Sequence, residues 1–230
     1  EGKRPFEGVG HQLRPQGLAG MGRHDHQGLP LEVELLVLFG IDPFIENDYV
    51  VSGVSILKRR IEELKEHDFE LVIFNHTIEH IENPEEVFKI VNSILIEKGY
   101  CVIITPLTDS FAFRKYREHW VKLDAPRHFI LFSSEGLKKL ASDCGFKVAM
   151  VIYNSDEAQF IGSEQYSKGV SLYAEESYFK DPKKSMFKRK EIKNYIKDSR
   201  RLNSSFDGDQ AVFILIKEPM HGTSYNGEKT

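Results

Sequence analysis

Residues 69–104 read FELVIFNHTIEHIENPEEVFKIVNSILIEKGYCVII, and this stretch decides the fold. It opens on Phe69 to Phe74, apolar but for Glu70 and of the length of a central strand. A helix start follows. Asn83 suits the N-cap and Pro84 the first helical position, while Glu85 and Glu86 complement the positive end of the helix dipole. Val87, Ile90, Val91, Ile94 and Leu95 then recur at helical spacing and form one apolar face. Gly99 is expected to end the helix. Tyr100 to Ile104 is a second strand-length apolar run, stopped by Pro106. Strand, helix and strand at this spacing predict a crossover unit in a parallel sheet, hence an α/β fold.

The same alternation extends outward. Upstream, Leu35 to Ile41 is an apolar run closed by Asp42 and Pro43, and residues 54–66 fit a short strand followed by a helical turn. Downstream, Ser133 or Ser134 caps a helix over 134–144, with Leu137, Leu140 and Ala141 on its apolar face and Gly145 closing it. Phe146 to Tyr153 predicts a strand. A polar segment dotted with aromatics, 154–208, holds a helix near 188–201 and reads as an insertion or lid. Gln210 to Ile216 is the last strand, and the polar tail over 218–230 is expected to fray. The domain proper is therefore expected over 35–217. Residues 1–34 are unlike it: the first thirty hold seven of the 17 glycines and three of the nine histidines, with no hydrophobic periodicity.

Composition narrows the function classes. With 31 basic and 35 acidic residues the net charge is −4, so no nucleic-acid partner is expected. No apolar run approaches the roughly 20 residues that span a bilayer, so no membrane partner is expected either. No signal segment is read at the start, and Cys101 and Cys144 sit in apolar surroundings as free thiols. Both features set the expected compartment as the cytoplasm.

Four constellations carry candidate chemistry. Asp42 stands at the C-terminal tip of a buried strand, where open α/β sheets bind ligands, and a carboxylate there accepts both hydroxyls of a ribose. Its alternative is a turn-forming Asp-Pro. Asn75 and His76 end the strand from Phe69, and with Glu79 and His80 they form a polar lip at the same edge. The histidine spacing does not match the helical zinc-protease pair, so no metal is expected; an imidazole acting as general base is. Trp120, Asp124, Arg127 and His128 lie within nine residues of a loop at that edge. Gln159, Glu164 and Tyr166, together with Gly208 to Gln210, are read as loops capping the crevice.

The order Gly40-Ile41-Asp42-Pro43, then residues 69–76, then Glu79 to Pro84, then Trp120 through Leu123 to His128, resembles the class I S-adenosylmethionine-dependent methyltransferases. The resemblance spans about residues 39–217 and is closest to the type 11/23-like branch. It implies a Rossmann-like, doubly wound sheet of seven strands, mostly parallel, with an antiparallel last strand inserted beside its neighbour. It implies S-adenosylmethionine as cosubstrate, held at its ribose by Asp42, near its adenine by Ile61 and Glu62, and near its methionine part by Asn75 and His76. It implies a small-molecule or sugar-type acceptor, contacted by Trp120, Asp124, Arg127, Gln159, Glu164 and Tyr166. His128 and His76, with His80 behind them, are the candidate bases.

One element departs from that pattern. The first strand of the family carries an apolar run, an acid and a Gly-x-Gly-x-Gly loop. Here only Gly20 and Gly22 stand at an acceptable distance from Asp42, without the apolar strand before them or the apolar helix after. Two readings follow: an active methyltransferase, or a methyltransferase-like domain whose cofactor loop is defective. A dinucleotide-dependent dehydrogenase shares the acid-tipped strand but needs a glycine loop that is equally missing.

Overall fold

The computed structural model describes residues 38–219, and from Phe39 onward the chain forms one compact unit. Gly20, Gly22, the start of the apolar run at Leu35 and the end of the tail lie outside the described residues. In chain order the elements are β1 (Phe39–Ile41), β2 (Tyr49–Val51), β3 (Val54–Leu57), β4 (Phe69–Asn75), α1 (Pro84–Ile94) and β5 (Leu95–Pro106). There follow α2 (Phe111–Tyr116), α3 (Ser134–Asp143), β6 (Phe146–Tyr153), α4 (Ala158–Ser167), α5 (Arg189–Ser204) and β7 (Gln210–Lys217), with single 3₁₀ turns at Ile61–Glu63, Ile78–His80 and Arg117–His119.

The fold is α/β, as expected. The seven described strands fall into two sheets, of order β1-β3-β2 and β4-β5-β7-β6, not one. In each sheet every strand but one shares a direction. β1 and β3 pair parallel with β2 reversed against β3, while β4 and β5 pair parallel and β7 runs antiparallel between β5 and β6. The antiparallel last strand thus sits inside the sheet, beside its neighbour.

The sequence signals around α1 act largely as read. The Asn83 side chain accepts a hydrogen bond from the Glu86 N–H, and Pro84 opens the helix. Val87, Phe88, Val91 and Ile94 are buried, and the first three join Phe74, Ile103 and Phe213 from the sheet in the main core. The end of α1 corrects the reading. The helix stops at Ile94, and Leu95 is already extended, paired with Phe69. Gly99 is no helix cap: it sits in an irregularity of the β4–β5 ladder beside Lys98, which adopts a positive φ of 64°. A Cβ on Gly99 would lie 2.9 Å from the Ile96 carbonyl oxygen, so close backbone approach is what requires glycine there.

Three elements were not read from the sequence: β2, α2 and α4. β2 forms a hairpin with β3, the short strand expected from 54, and its turn residues, Ser52 and Gly53, both have positive φ, the geometry of a tight two-residue connection. α2 is a short helix capped by Ser110, whose hydroxyl accepts from the Phe113 N–H. Gln159 to Tyr166, read as loop, lies in the helix α4. Gln159, Phe160, Ile161, Gly162, Ser163 and Gln165 are all buried there, so the helix shows no apolar stripe to read. Gly162 faces Val121 so closely that a Cβ would overlap its isopropyl group. α2, α4 and α5 share a second, smaller core of Ala112, Tyr116, Trp120, Phe160 and Leu202, with Tyr195 packed against it. The two cysteines are buried and free, and burial pushes the Cys101 thiol up to about 12.

Candidate active site

The site is built where β4 and β5 end. Asn75 is the last residue of β4, opposite Ile104, and the chain then turns sharply: His76 has φ 50° while its N–H still bonds the Ile104 carbonyl at 2.9 Å. The 3₁₀ turn Ile78–His80 follows, pinned by Ile78, which is fully buried in the core. Glu79 is equally buried, with 0% of its surface exposed. Its backbone carbonyl accepts from the N–H groups of Phe129 and Ile130, at 2.9 and 3.3 Å. That pair of bonds ties the loop of residues 120–130 to the lip after β4.

The carboxylate of Glu79 is held from two sides. His76 Nδ1 lies 3.2 Å from Oε1, and the Thr105 hydroxyl donates to Oε2 at 3.1 Å. Burial works against its charge. The His76 hydrogen bond, the Glu79 backbone N–H and the nearby His76 and His128 imidazoles outweigh that cost and hold its pKa below the ordinary carboxylate value. Two further imidazoles stand beside it. His80 Nδ1 donates to the Arg127 carbonyl at 2.8 Å and His128 Nδ1 to the Lys122 carbonyl at 2.9 Å. The two rings lie with centroids 4.8 Å apart, tilted by 56° to each other. Burial is the main reason the His128 pKa falls below that of an exposed imidazole, with Glu79 opposing the fall.

The three candidate bases therefore meet around one carboxylate. The loop also carries Asp124 and Arg127, which form an ion pair; the Asp124 hydrogen bond is the chief cause that raises the Arg127 pKa. Tyr166, half-buried on α4, lies within electrostatic reach of both.

The expected acceptor contacts need two corrections. Trp120 is 0% exposed: its Nε1–H donates to Asp209 Oδ2 at 3.1 Å, and its ring meets Phe113 edge-on. Asp209 is also fully buried and takes Lys122 Nζ at 3.1 Å. Trp120 is thus a core anchor that fastens the loop, beyond reach of any acceptor. Gln159 is likewise fully buried, donating to the Asp156 carbonyl and the Ser199 hydroxyl between α4 and α5. Glu164 remains partly exposed but is occupied by the Tyr116 hydroxyl at 2.8 Å and Lys115 Nζ at 3.1 Å.

On the cosubstrate side, Asp42 Oδ1 accepts from the Phe44 N–H at 2.8 Å, so part of its work is the turn that the Asp-Pro reading foresaw. Its Oδ2 accepts no hydrogen bond among the described residues. Ile61 packs against the main core from a 3₁₀ turn, and Glu62 is held 3.5 Å from Arg60. Asn75 is exposed at the strand end, its carbonyl accepting from Thr77. Asp209, the residue that organises the loop, was read only as part of a crevice-capping segment. Its signal in the sequence was its place directly before the last strand.

Comparison with known proteins identifies the family of the domain. A family model described as a methyltransferase domain matches residues 27–151, more than half of the chain. No curated protein matches the sequence. Among solved structures, a chain in the complex of the Haloferax volcanii Trm112 methyltransferase activator with a methyltransferase aligns at TM-score 0.50 and 13% identity, over 80% of this chain and 72% of that one. A SAM-dependent methyltransferase from Thermotoga maritima aligns at 0.48 and 18%, over 79% and 73%. One from Archaeoglobus fulgidus aligns at 0.45 and 17%, over 78% and 75%. At these identities the likeness is one of fold. Among the described residues no helix is long and apolar enough to cross a membrane.

Proposed function

The chain belongs to the methyltransferase domain family, and from that premise we propose that it transfers the methyl group of S-adenosylmethionine to a hydroxyl of a small-molecule or sugar-type acceptor. The observation that carries the acceptor half is the Glu79–His76 pair at the end of β4, a buried carboxylate bonded to an imidazole whose side chain is 42% exposed.

When bound, S-adenosylmethionine supplies an electrophilic methyl on a sulfonium. Asp42 fits the ribose: it stands at the tip of β1, and its unengaged Oδ2 is a free acceptor for ribose hydroxyls. Asn75 and His76 are the residues for the methionine side, and the turn with Ile61 and Glu62 is the candidate adenine contact. Gly20 and Gly22, the expected glycine contacts, lie outside the described residues. The residues of the chain then have two tasks. Arg127 and Tyr166 orient the acceptor at the lip, Arg127 itself being set by Asp124. His76, with its Nδ1 committed to Glu79, accepts the hydroxyl proton at Nε2 as the new O–C bond forms and the sulfonium S–C bond breaks, its electron pair returning to sulfur. His128 is the second candidate for that proton, with its side chain only 8% exposed; His80 supports it. The exposure difference favours His76.

The test is turnover of methyl-labelled S-adenosylmethionine by the full chain against a panel of hydroxylated small molecules, free sugars and nucleotide sugars. Labelled product with equimolar S-adenosylhomocysteine is expected for at least one class. Binding of cosubstrate with no product from any of them supports the catalytically impaired domain instead.

A further inference from the structure

The lip holds a second arrangement that methyl transfer does not call for. One ligand-capable atom from each of Glu79, His80 and His128 lies within 4.8 Å of the others. We propose that these three side chains form a binding site for one first-row divalent cation of the zinc, cobalt or manganese kind.

Three observations point the same way. First, the imidazoles are set as metal ligands are set. A backbone carbonyl can only accept, so the bonds to Arg127 and Lys122 place the ring proton of each neutral histidine on Nδ1. The lone pair is then on Nε2 in both. An imidazole oriented by donating its other N–H to a backbone carbonyl is the usual arrangement behind a metal-bound histidine. Second, Glu79 is a buried, ionised carboxylate, and among the described residues no lysine or arginine lies within 4 Å of it; its ion-pair partner is the half-exposed His76. Buried charges are normally paired or coordinate metals. The Glu79 carboxylate accepts from His76, from Thr105 and from its own backbone N–H, which leaves about one of its four lone-pair sites for a cation. Third, the donor set is two imidazoles and one carboxylate. That mixture suits borderline first-row cations better than magnesium or calcium, and three protein ligands leave positions open for water or an acceptor oxygen.

Closing the shell to bonds of about 2.0–2.1 Å needs a modest inward adjustment. The exposed His80 is the side chain free to make it. His76 keeps its bond to Glu79 Oε1. The reading differs from the sequence expectation because 48 residues separate His80 from His128, and the two are brought together by the Glu79 carbonyl's bonds to Phe129 and Ile130 and by the His80 bond to the Arg127 carbonyl.

The test needs no methyl transfer. The full chain is titrated with Zn²⁺ by calorimetry and with Co²⁺ by visible absorption, alongside His80→Gln, His128→Gln, and the control His67→Gln at an exposed site. The wild type and the control are expected to bind with a Kd of micromolar or tighter. Each of the other two variants is expected to lose one equivalent, or at least about ten-fold in affinity. Circular dichroism checks each fold; should His128→Gln misfold, His80→Gln decides alone, its side chain being exposed. Stoichiometry and affinity unchanged in His80→Gln, or no binding at millimolar cation, overturns the proposal.

Discussion

Trp120→Ala is expected to lower the free energy of unfolding by about 3–5 kcal/mol, seen as a large fall in the urea midpoint. The indole is fully buried in the smaller core, beside Phe113 and against α4, so its removal leaves a cavity that rigid neighbours cannot fill. It also removes one of the two side chains that hold Asp209, leaving that buried carboxylate on Lys122 alone. Trp120→Phe separates the two losses. It keeps most of the packing and drops only the N–H donor, for an expected cost of about 1–3 kcal/mol. An alanine variant within 1 kcal/mol of wild type would show that Trp120 is not the anchor of the 120–130 loop.

His76→Ala is expected to reduce kcat by about 10²–10⁴-fold, the usual range for a positioned general base. The side chain is 42% exposed and outside both cores, but its loss strips the buried Glu79 carboxylate of its imidazole partner, so some loss of stability accompanies it. Circular dichroism and a urea midpoint therefore establish that the variant is folded before rates are compared. Initial rates at saturating cosubstrate and acceptor check it, once an acceptor class has been found. A kcat within three-fold of wild type moves the proton acceptor to His128, which stands beside Glu79 in the same cluster.

Much of this architecture is legible in the residues because it depends on local rules. Asn83-Pro84 opened α1 as read, Ser133 capped α3, and Phe146 to Tyr153 is a strand with the bounds expected. What escaped depends on packing between distant segments. Gly99 looks like a helix stop, yet it serves a close approach inside a strand pair. The α4 sequence lacks an apolar stripe because nearly all its faces are buried by Val121, α2 and α5, so the period that betrays a surface helix is missing. Trp120 resembled a binding aromatic because it sits in a polar loop; only Asp209, 89 residues away, shows that the loop folds over it. Likewise the lip histidines were visible as candidates. Their common dependence on a buried Glu79 was not, since a carboxylate in a polar run gives no sign of burial.

The central claim is that this chain binds S-adenosylmethionine at the edge marked by Asp42 and Asn75. Isothermal titration of the full chain with S-adenosylmethionine, and with NAD as the competing dinucleotide, tests it most directly. The account predicts one site of micromolar affinity for the first ligand and none for the second. Asp42→Ala is expected to weaken it by ten-fold or more, since each hydrogen bond to a charged group contributes about 1.5–3 kcal/mol. No heat of binding up to millimolar S-adenosylmethionine from folded protein, or an affinity indifferent to Asp42→Ala, contradicts it.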